Sequence, residues 1–222
     1  MTNRIQQIFD RLKKENKKAF VSFSVAGYPD EQSSLEIAKA IADSGAHIHE
    51  ISFPHAEAQA DGPIIQLANI ESIKKGINLE KIISISKKVR EHNSDIGLCL
   101  MGYLNNLFIY GIEKFAKDIS GTIDAVICVD LPSEVIEEKQ LKEALKKEGI
   151  ALIKLITPTT SDDRIKKIVQ DAEGFIYSVN VEGQTGVKSA DINKVNLQVE
   201  NIKKYTNIPV VSGFGIKNEE DV

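Results

Sequence analysis

The stretch from Ala46 to Gln66, AHIHEISFPHAEAQADGPIIQ, carries the pattern on which the fold prediction rests. Its first half alternates apolar residues, including Ile48 and Ile51, as a buried strand does. Glu50 lies inside that run, and a carboxylate among apolar neighbours is costly unless it is paired or has a task. The polar loop that follows contains a second carboxylate, Asp61. A strand and the loop at its carboxyl end therefore supply two acidic groups where parallel α/β proteins collect catalytic residues.

Length and composition indicate one ordinary globular domain. The chain has 222 residues, of which 42% are hydrophobic and 27% charged, enough for a single domain over 1–222. The net charge of -4 comes from 28 basic and 32 acidic residues without the basic stripe of a nucleic-acid-binding protein. No apolar run approaches the roughly 18 residues of a membrane span, and the start lacks a signal-peptide core. We therefore expect a cytoplasmic protein with no nucleic-acid or membrane partner.

Cysteine and histidine usage points away from disulfides and metals. Cys99 and Cys128 lie in apolar, strand-like runs, which favours core filling in a reducing cytoplasm, with a reactive pair as the alternative. Four histidines occur in the chain: His47, His49, His55 and His92. Their spacing does not form a metal site. We predict neither a metal nor a cofactor.

A regular rhythm of strands and helices runs along the whole chain. Apolar strands, each followed by a crossover, recur about every 30 residues, the length of a βα unit. The predicted strands are 19–25, 47–52, 96–101, 125–129, 151–156, 175–179 and 208–211. The predicted helices are 2–16, 31–44, 64–75, 79–91, 112–119, 134–148, 163–171 and 192–205. The first of these helices is amphipathic and is expected to act as a plug or lid.

Strands that alternate with helices imply a parallel sheet. Seven such units with polar loops at their carboxyl ends predict an α/β fold, a (βα)8 TIM barrel truncated in this sequence after strand seven. A doubly wound open sheet is the alternative, but no G-x-G-x-x-G follows the first strand. Seven strands leave edges at strands one and seven, from which we expect a homodimer. Closure by the first helix or direct pairing of the two edges are the alternatives.

The two carboxylates form the first candidate catalytic group. Acidic groups in different surroundings hold different pKa values and can divide the acid and base roles. Alternatively, Glu50 pairs with a neighbouring core group and Asp61 caps the helix that begins near residue 64. Tyr177, on strand six, either hydrogen-bonds a substrate or fills the barrel.

Glycines form the second candidate group. The sequence Gly183-Gln-Thr-Gly186 follows strand six, and Gly213-Phe-Gly215 follows strand seven. Glycine lets the backbone approach an anion closely, and barrel enzymes often bind phosphate at their late loops. The same glycines could instead only make turns.

These features occur together in one known family, and the chain resembles the α subunit of tryptophan synthase over nearly its whole length. The matching blocks are FVSFSVAGYPD from Phe20, the Glu50 to Gln66 block, DLP from Asp130, TPTTSD from Thr157, Thr185-Gly186 and GFGI from Gly213. The resemblance implies a (βα)8 barrel and a lyase of tryptophan biosynthesis. Its reaction is the retro-aldol cleavage of indole-3-glycerol phosphate to indole and glyceraldehyde 3-phosphate.

The resemblance assigns roles to three candidate catalytic residues. Glu50 matches the general acid/base that acts on the glycerol hydroxyl and indole C3. Asp61 matches the aspartate that binds the indole N–H and stabilises the indolenine-like intermediate. Tyr177 matches the tyrosine beside the catalytic glutamate.

The resemblance also assigns substrate-binding residues. Phe23 and Phe214 match aromatic residues that pack against the indole and the phosphate end. Gly186 and Gly215 match backbone phosphate donors, and Thr185 matches the threonine of the closing loop. The chain has Val181 where the family loop usually has arginine, and the Gly-Ser pair after strand eight has no counterpart.

A partner is implied as well, because the family's α subunit passes indole to a pyridoxal-phosphate β subunit. The segment that usually contacts this partner, Pro-Phe-Ser-Asp-Pro, is here Pro54 followed by His55, Ala56, Glu57 and Ala58. The alternatives to an active lyase are a weak or inactive protein that binds and activates a β subunit, and another phosphate-binding barrel.

Overall fold

The computed structural model describes residues 3–179 and 192–213. Seven parallel strands pair in chain order from β1 to β7. Their bounds are β1 Val21–Val25, β2 Ile48–Ser52, β3 Gly97–Gly102, β4 Ala125–Cys128, β5 Ala151–Ile156, β6 Ile176–Val179 and β7 Val210–Gly213. The described helices are α1 Arg4–Lys14, α2 Glu31–Asp43, α3 Pro63–Lys74, α4 Leu79–His92, α5 Leu104–Tyr110, α6 Ile112–Asp118, α7 Ile136–Lys147, α8 Asp162–Val169 and α9 Ile192–Lys203.

Alternation along the strands separates an interior from a helix-covered exterior. Successive side chains of a strand point to opposite faces, and one set from all seven strands meets in a single interior cluster. This set includes Val21, Ile48, Cys99, Ala125, Ile153, Tyr177 and Val211. The other face packs against the helices in separate clusters. A sheet whose first and last strands share one interior is curled, so the barrel prediction holds and the open-sheet alternative is wrong.

Helix α1 plugs the amino-terminal end of this barrel, as its amphipathic pattern predicts. Ile5, Ile8 and Leu12 lie on one face of the helix, are buried and join the interior cluster. The Asn3 side chain caps the helix and also donates a hydrogen bond of 2.7 Å to the carbonyl oxygen of Asp124, just before β4. Because the plug occupies the amino ends of the strands, the site has to form at their carboxyl ends.

An ionic cluster around Asp124 fastens the plug to the barrel. Arg4 of α1 lies 2.5 Å from Oδ1, and Arg90 of α4 lies 2.7 Å from Oδ2. The backbone N–H of Leu98 also donates to Oδ2 at 2.8 Å. The carboxylate is buried and therefore joins the plug, α4 and β3 through one side chain.

The main difference from the predicted elements is α5, which the sequence pattern does not predict. This helix has only seven residues and no side-chain cap, and its Phe108 and Ile109 are exposed. A short helix without a continuous apolar face lacks the periodicity that identifies longer helices.

The two cysteines are free and buried, and burial raises the pKa of both thiols, as expected for core residues. In the described part of the chain, no helix is long and apolar enough to cross a membrane.

Candidate active site

Glu50 is a buried acid on the inner face of β2. Its strand neighbours in the register are Phe23 on β1 and Cys99 on β3. The residue is 3% exposed, and its Oε1 atom has no hydrogen-bond partner among the described residues. Burial raises the pKa of Glu50 to about 8. These observations argue against a structural pairing with a neighbouring core group and leave a buried, unpaired acid inside the barrel.

Asp61 faces the same end of the barrel and is held by two side chains. Its Oδ2 atom accepts hydrogen bonds from the Tyr103 hydroxyl at 3.3 Å and from Asn69 Nδ2 at 3.5 Å. Helix α3 begins after Gly62 without a side-chain cap, so the alternative that Asp61 caps this helix is wrong. Burial has the largest effect on the pKa of Asp61 and raises it above its usual value, although the two hydrogen bonds act in the opposite direction.

A small cavity joins Asp61 to the carboxyl ends of the early strands. Its lining residues are Phe23, Ser52, Phe53, Asp61, Asn69, Met101, Gly102, Tyr103 and Val129. A larger cavity lies on the outer face of β4 and β5, beside a buried ion pair between Lys154 and Glu138. We assign the site to the smaller cavity because Asp61 lines it and Ser52, two residues after Glu50 on β2, shares the inner face with Glu50.

Tyr177 lies in the barrel interior beside both carboxylates. It is buried on β6, and after burial itself the negative charges of Glu50 and Asp61 raise the pKa of its phenol. A Cβ atom added at Gly213 would lie 2.1 Å from the phenol oxygen. Gly213 is therefore required for the side chain of Tyr177 to reach this position. Glu50 and Tyr177 thus share the barrel interior, and Asp61 lines the cavity at its carboxyl end.

A group of residues that the sequence pattern does not single out supports Asp61. The Tyr103 hydroxyl also accepts a hydrogen bond from the Ala60 backbone N–H at 3.0 Å. The His55 ring stacks on the Tyr103 ring with centroids 4.8 Å apart, and its Nδ1 lies 2.8 Å from Asn106 Oδ1. Tyr103 directly follows β3, so its place at a strand's carboxyl end was the available signal.

Only some of the remaining predicted site residues lie in the part of the chain that the structure describes. Phe23 lines the cavity. Thr185, Gly186, Phe214 and Gly215 lie outside the described residues. In the predicted partner segment Ala56 and Glu57 are exposed, His55 is half-buried and Ala58 is buried.

The histidines have partners other than a metal. Both ring nitrogens of His49 lie 3.0 Å from serine hydroxyls, those of Ser22 and Ser24, and burial lowers its pKa to about 4. His47 accepts a hydrogen bond from the Phe20 backbone N–H. Within residues 3–179 and 192–213, no group of three or more His, Cys, Asp and Glu side chains could hold a metal ion.

Comparison with known proteins identifies the family of this chain. The family model described as tryptophan synthase alpha chain matches residues 9–222. A tryptophan synthase alpha chain from Phenylobacterium zucineum (strain HLK1) is 41% identical over 218 residues, which are 98% of this chain and 78% of that protein. The chain belongs to the tryptophan synthase alpha chain family. It is accordingly a lyase of tryptophan biosynthesis that cleaves indole-3-glycerol phosphate to indole and glyceraldehyde 3-phosphate.

Solved structures give the same fold. A protein of Aquifex aeolicus VF5 superimposes with a TM-score of 0.90 at 36% identity, covering 99% of this chain and 83% of that one. The tryptophan synthase subunit alpha of Legionella pneumophila str. Paris gives a TM-score of 0.88 at 29% identity, with 98% and 80% covered. A Mycobacterium tuberculosis tryptophan synthase structure gives 0.90 at 25% identity, with 98% and 82% covered. The TIM-barrel prediction is therefore confirmed.

Proposed function

We propose that this family member performs the cleavage with Glu50 as the general acid/base. The observation that carries the proposal is the buried, unpartnered Oε1 atom of Glu50 inside the barrel. A carboxyl group whose pKa is raised to about 8 exchanges protons readily near neutral pH. In the reaction, indole C3 gains a proton, a glycerol hydroxyl loses one, and the bond between C3 and the glycerol carbon breaks. The products are indole and the aldehyde.

Asp61 is proposed to bind the indole N–H and to stabilise the positive charge that develops on the ring. A fixed carboxylate at the position where charge forms is an effective catalytic device in a site that excludes water. Tyr103 and Asn69 hold its Oδ2 atom, so the carboxylate is oriented before substrate binds. Phe23, the neighbour of Glu50 on β1, and Tyr177, on β6, supply aromatic surface inside the barrel.

The phosphate end of the substrate is proposed to contact the late loops. The residues are Thr185, Gly186, Phe214 and Gly215, as the family resemblance implies. Glycine permits the close backbone approach that an anion needs. Gly213, the last residue of β7, directly precedes two of these positions.

A tryptophan synthase β subunit is the proposed protein partner, with His55, Ala56, Glu57 and Ala58 as the contact segment. Its support is the exposure of Ala56 and Glu57 at the carboxyl end of the barrel. The stack of His55 on Tyr103 links this segment to the side chains that hold Asp61. A partner bound here would therefore act on Asp61 through a short chain of contacts.

Indole release from indole-3-glycerol phosphate, measured with and without a β subunit, tests the function. We expect release by the isolated protein, faster release with the partner, and strongly slowed release by the Glu50→Gln variant. If no indole forms in either condition but the β reaction of serine with indole is accelerated, the chain is instead a non-catalytic activator.

We also propose a homodimer in the cytoplasm. Among the described residues β1 pairs only with β2 and β7 only with β6, and Phe20 beside β1 is 50% exposed. Unpaired strand edges favour pairing with another chain. Two free thiols suit a reducing compartment. Light scattering across a dilution series should give the mass of a dimer, and a monomer at every micromolar concentration would contradict this.

A further inference from the structure

Ser52 is a second buried polar residue on the inner face of β2, two positions after Glu50. Its Oγ atom is buried and has no hydrogen-bond partner among the described residues. A buried hydroxyl without a hydrogen-bond partner destabilises the fold, because its lost hydrogen bonds to water are not replaced. The residue lines the small cavity together with Asp61 and Tyr103. A hydroxyl left unsatisfied at this place has a hydrogen bond available for whatever occupies the cavity.

The spacing relates this hydroxyl to the catalytic acid. Residues two apart on a strand point to the same face, with Cα atoms about 6.6 Å apart. Both Ser52 Oγ and Glu50 Oε1 are buried and lack partners in the part of the chain that the structure describes. A single oxygen bound between two such residues can accept a hydrogen bond from the serine and donate its own proton to the carboxylate. The substrate supplies such an oxygen as a glycerol hydroxyl.

We propose that Ser52 is a substrate-contacting catalytic residue, whose hydroxyl donates a hydrogen bond to the glycerol hydroxyl from which Glu50 takes the proton. The inference rests on the proposed function of Glu50. The serine keeps its own proton throughout, while the substrate proton moves to the carboxylate and the C–C electron pair moves to indole C3. The substrate oxygen carries more negative charge as its proton leaves, so the hydrogen bond from Ser52 strengthens in the transition state.

The chain contains matched controls for this inference. Ser72 and Ser178 also have buried Oγ atoms without partners among the described residues. Ser178 follows Tyr177 on β6 and therefore points to the opposite, helix-covered face, and Ser72 lies on α3. Neither lines the cavity that contains Asp61. Replacing either serine therefore measures the effect of removing an unsatisfied hydroxyl that does not line the cavity.

The test compares Ser52→Ala with Ser178→Ala in steady-state cleavage of indole-3-glycerol phosphate. Ser52→Ala should lower kcat by about 10²- to 10³-fold, as the loss of one donor to a developing oxyanion does. Ser178→Ala should retain the parent kcat. Neither variant should melt at a lower temperature, because each removes an unsatisfied hydroxyl. An unchanged kcat in Ser52→Ala would overturn the proposal.

Binding of indole-3-propanol phosphate, which lacks the glycerol hydroxyls, provides the second readout. Its dissociation constant should be the same for the parent and Ser52→Ala, because the proposed hydrogen bond has no acceptor in this ligand. If Ser52→Ala loses as much affinity for this ligand as it loses in kcat, Ser52 acts on the shape of the cavity. That result would also overturn the proposal. Failure of Glu50→Gln to lose activity would instead contradict the proposed function, so the two failures are distinguishable.

Discussion

Replacing Glu50 with glutamine is expected to slow indole release by about 10²- to 10⁴-fold, the usual contribution of a general acid/base. The same change should stabilise the fold at alkaline pH. The pKa of Glu50 is raised by burial from 4.5 to about 8 in the folded state. Its contribution to stability is therefore complete below pH 4.5 and is lost as the pH rises through 8. Glutamine has nearly the same shape and does not titrate, so it avoids this loss.

Urea unfolding at pH 5 and pH 9 measures the stability effect. The unfolding free energy of Glu50→Gln minus that of the parent should increase by several kcal/mol from pH 5 to pH 9. Each unit of pKa shift corresponds to about 1.4 kcal/mol. The matched control is Glu57→Gln, a change at an exposed glutamate of the neighbouring loop, which should leave the unfolding free energy unaltered. A parent-like rate in Glu50→Gln would contradict the proposed mechanism. A stability difference that does not change with pH would contradict the raised pKa of Glu50.

Replacing Asp124 with alanine is expected to destabilise the barrel by about 3–5 kcal/mol, the cost of removing one member of a buried ionic cluster. The change leaves Arg90 without its carboxylate in a half-buried position and removes the acceptor of the Leu98 backbone N–H. It also releases Arg4, so helix α1 loses one of its links to the barrel. Equilibrium unfolding in urea measures the loss.

Asp118→Ala is the matched control for this prediction. Asp118 pairs with Lys114 at 2.7 Å on the surface of α6, where both side chains are substantially exposed. Exposed pairs of this kind contribute about 0–1 kcal/mol. If Asp124→Ala costs no more than Asp118→Ala, the ionic cluster does not hold the plug. The apolar face of α1 and the hydrogen bonds of Asn3 then hold it.

The sequence by itself was sufficient for the barrel, the plug and the buried acid Glu50, because each has a local signature. Strand and helix periodicities lie within short windows of sequence. The apolar face of Ile5, Ile8 and Leu12 appears at helical spacing, and Glu50 stands out as a charge inside an apolar strand. Burying an unpaired charge or exposing an apolar face costs much free energy, so these patterns can be recognised from the sequence alone.

Only the tertiary structure decided which side chains surround those carboxylates. Asp61 precedes a helix start, which fits a cap locally, but contacts with Tyr103 and Asn69 give it a different role. Ser52 and Ser178 are both serines in apolar strands, and only the tertiary structure shows that Ser52 lines the cavity whereas Ser178 lies on the helix-covered face. Contacts between residues far apart in the chain depend on register and closure, which local spacing does not encode.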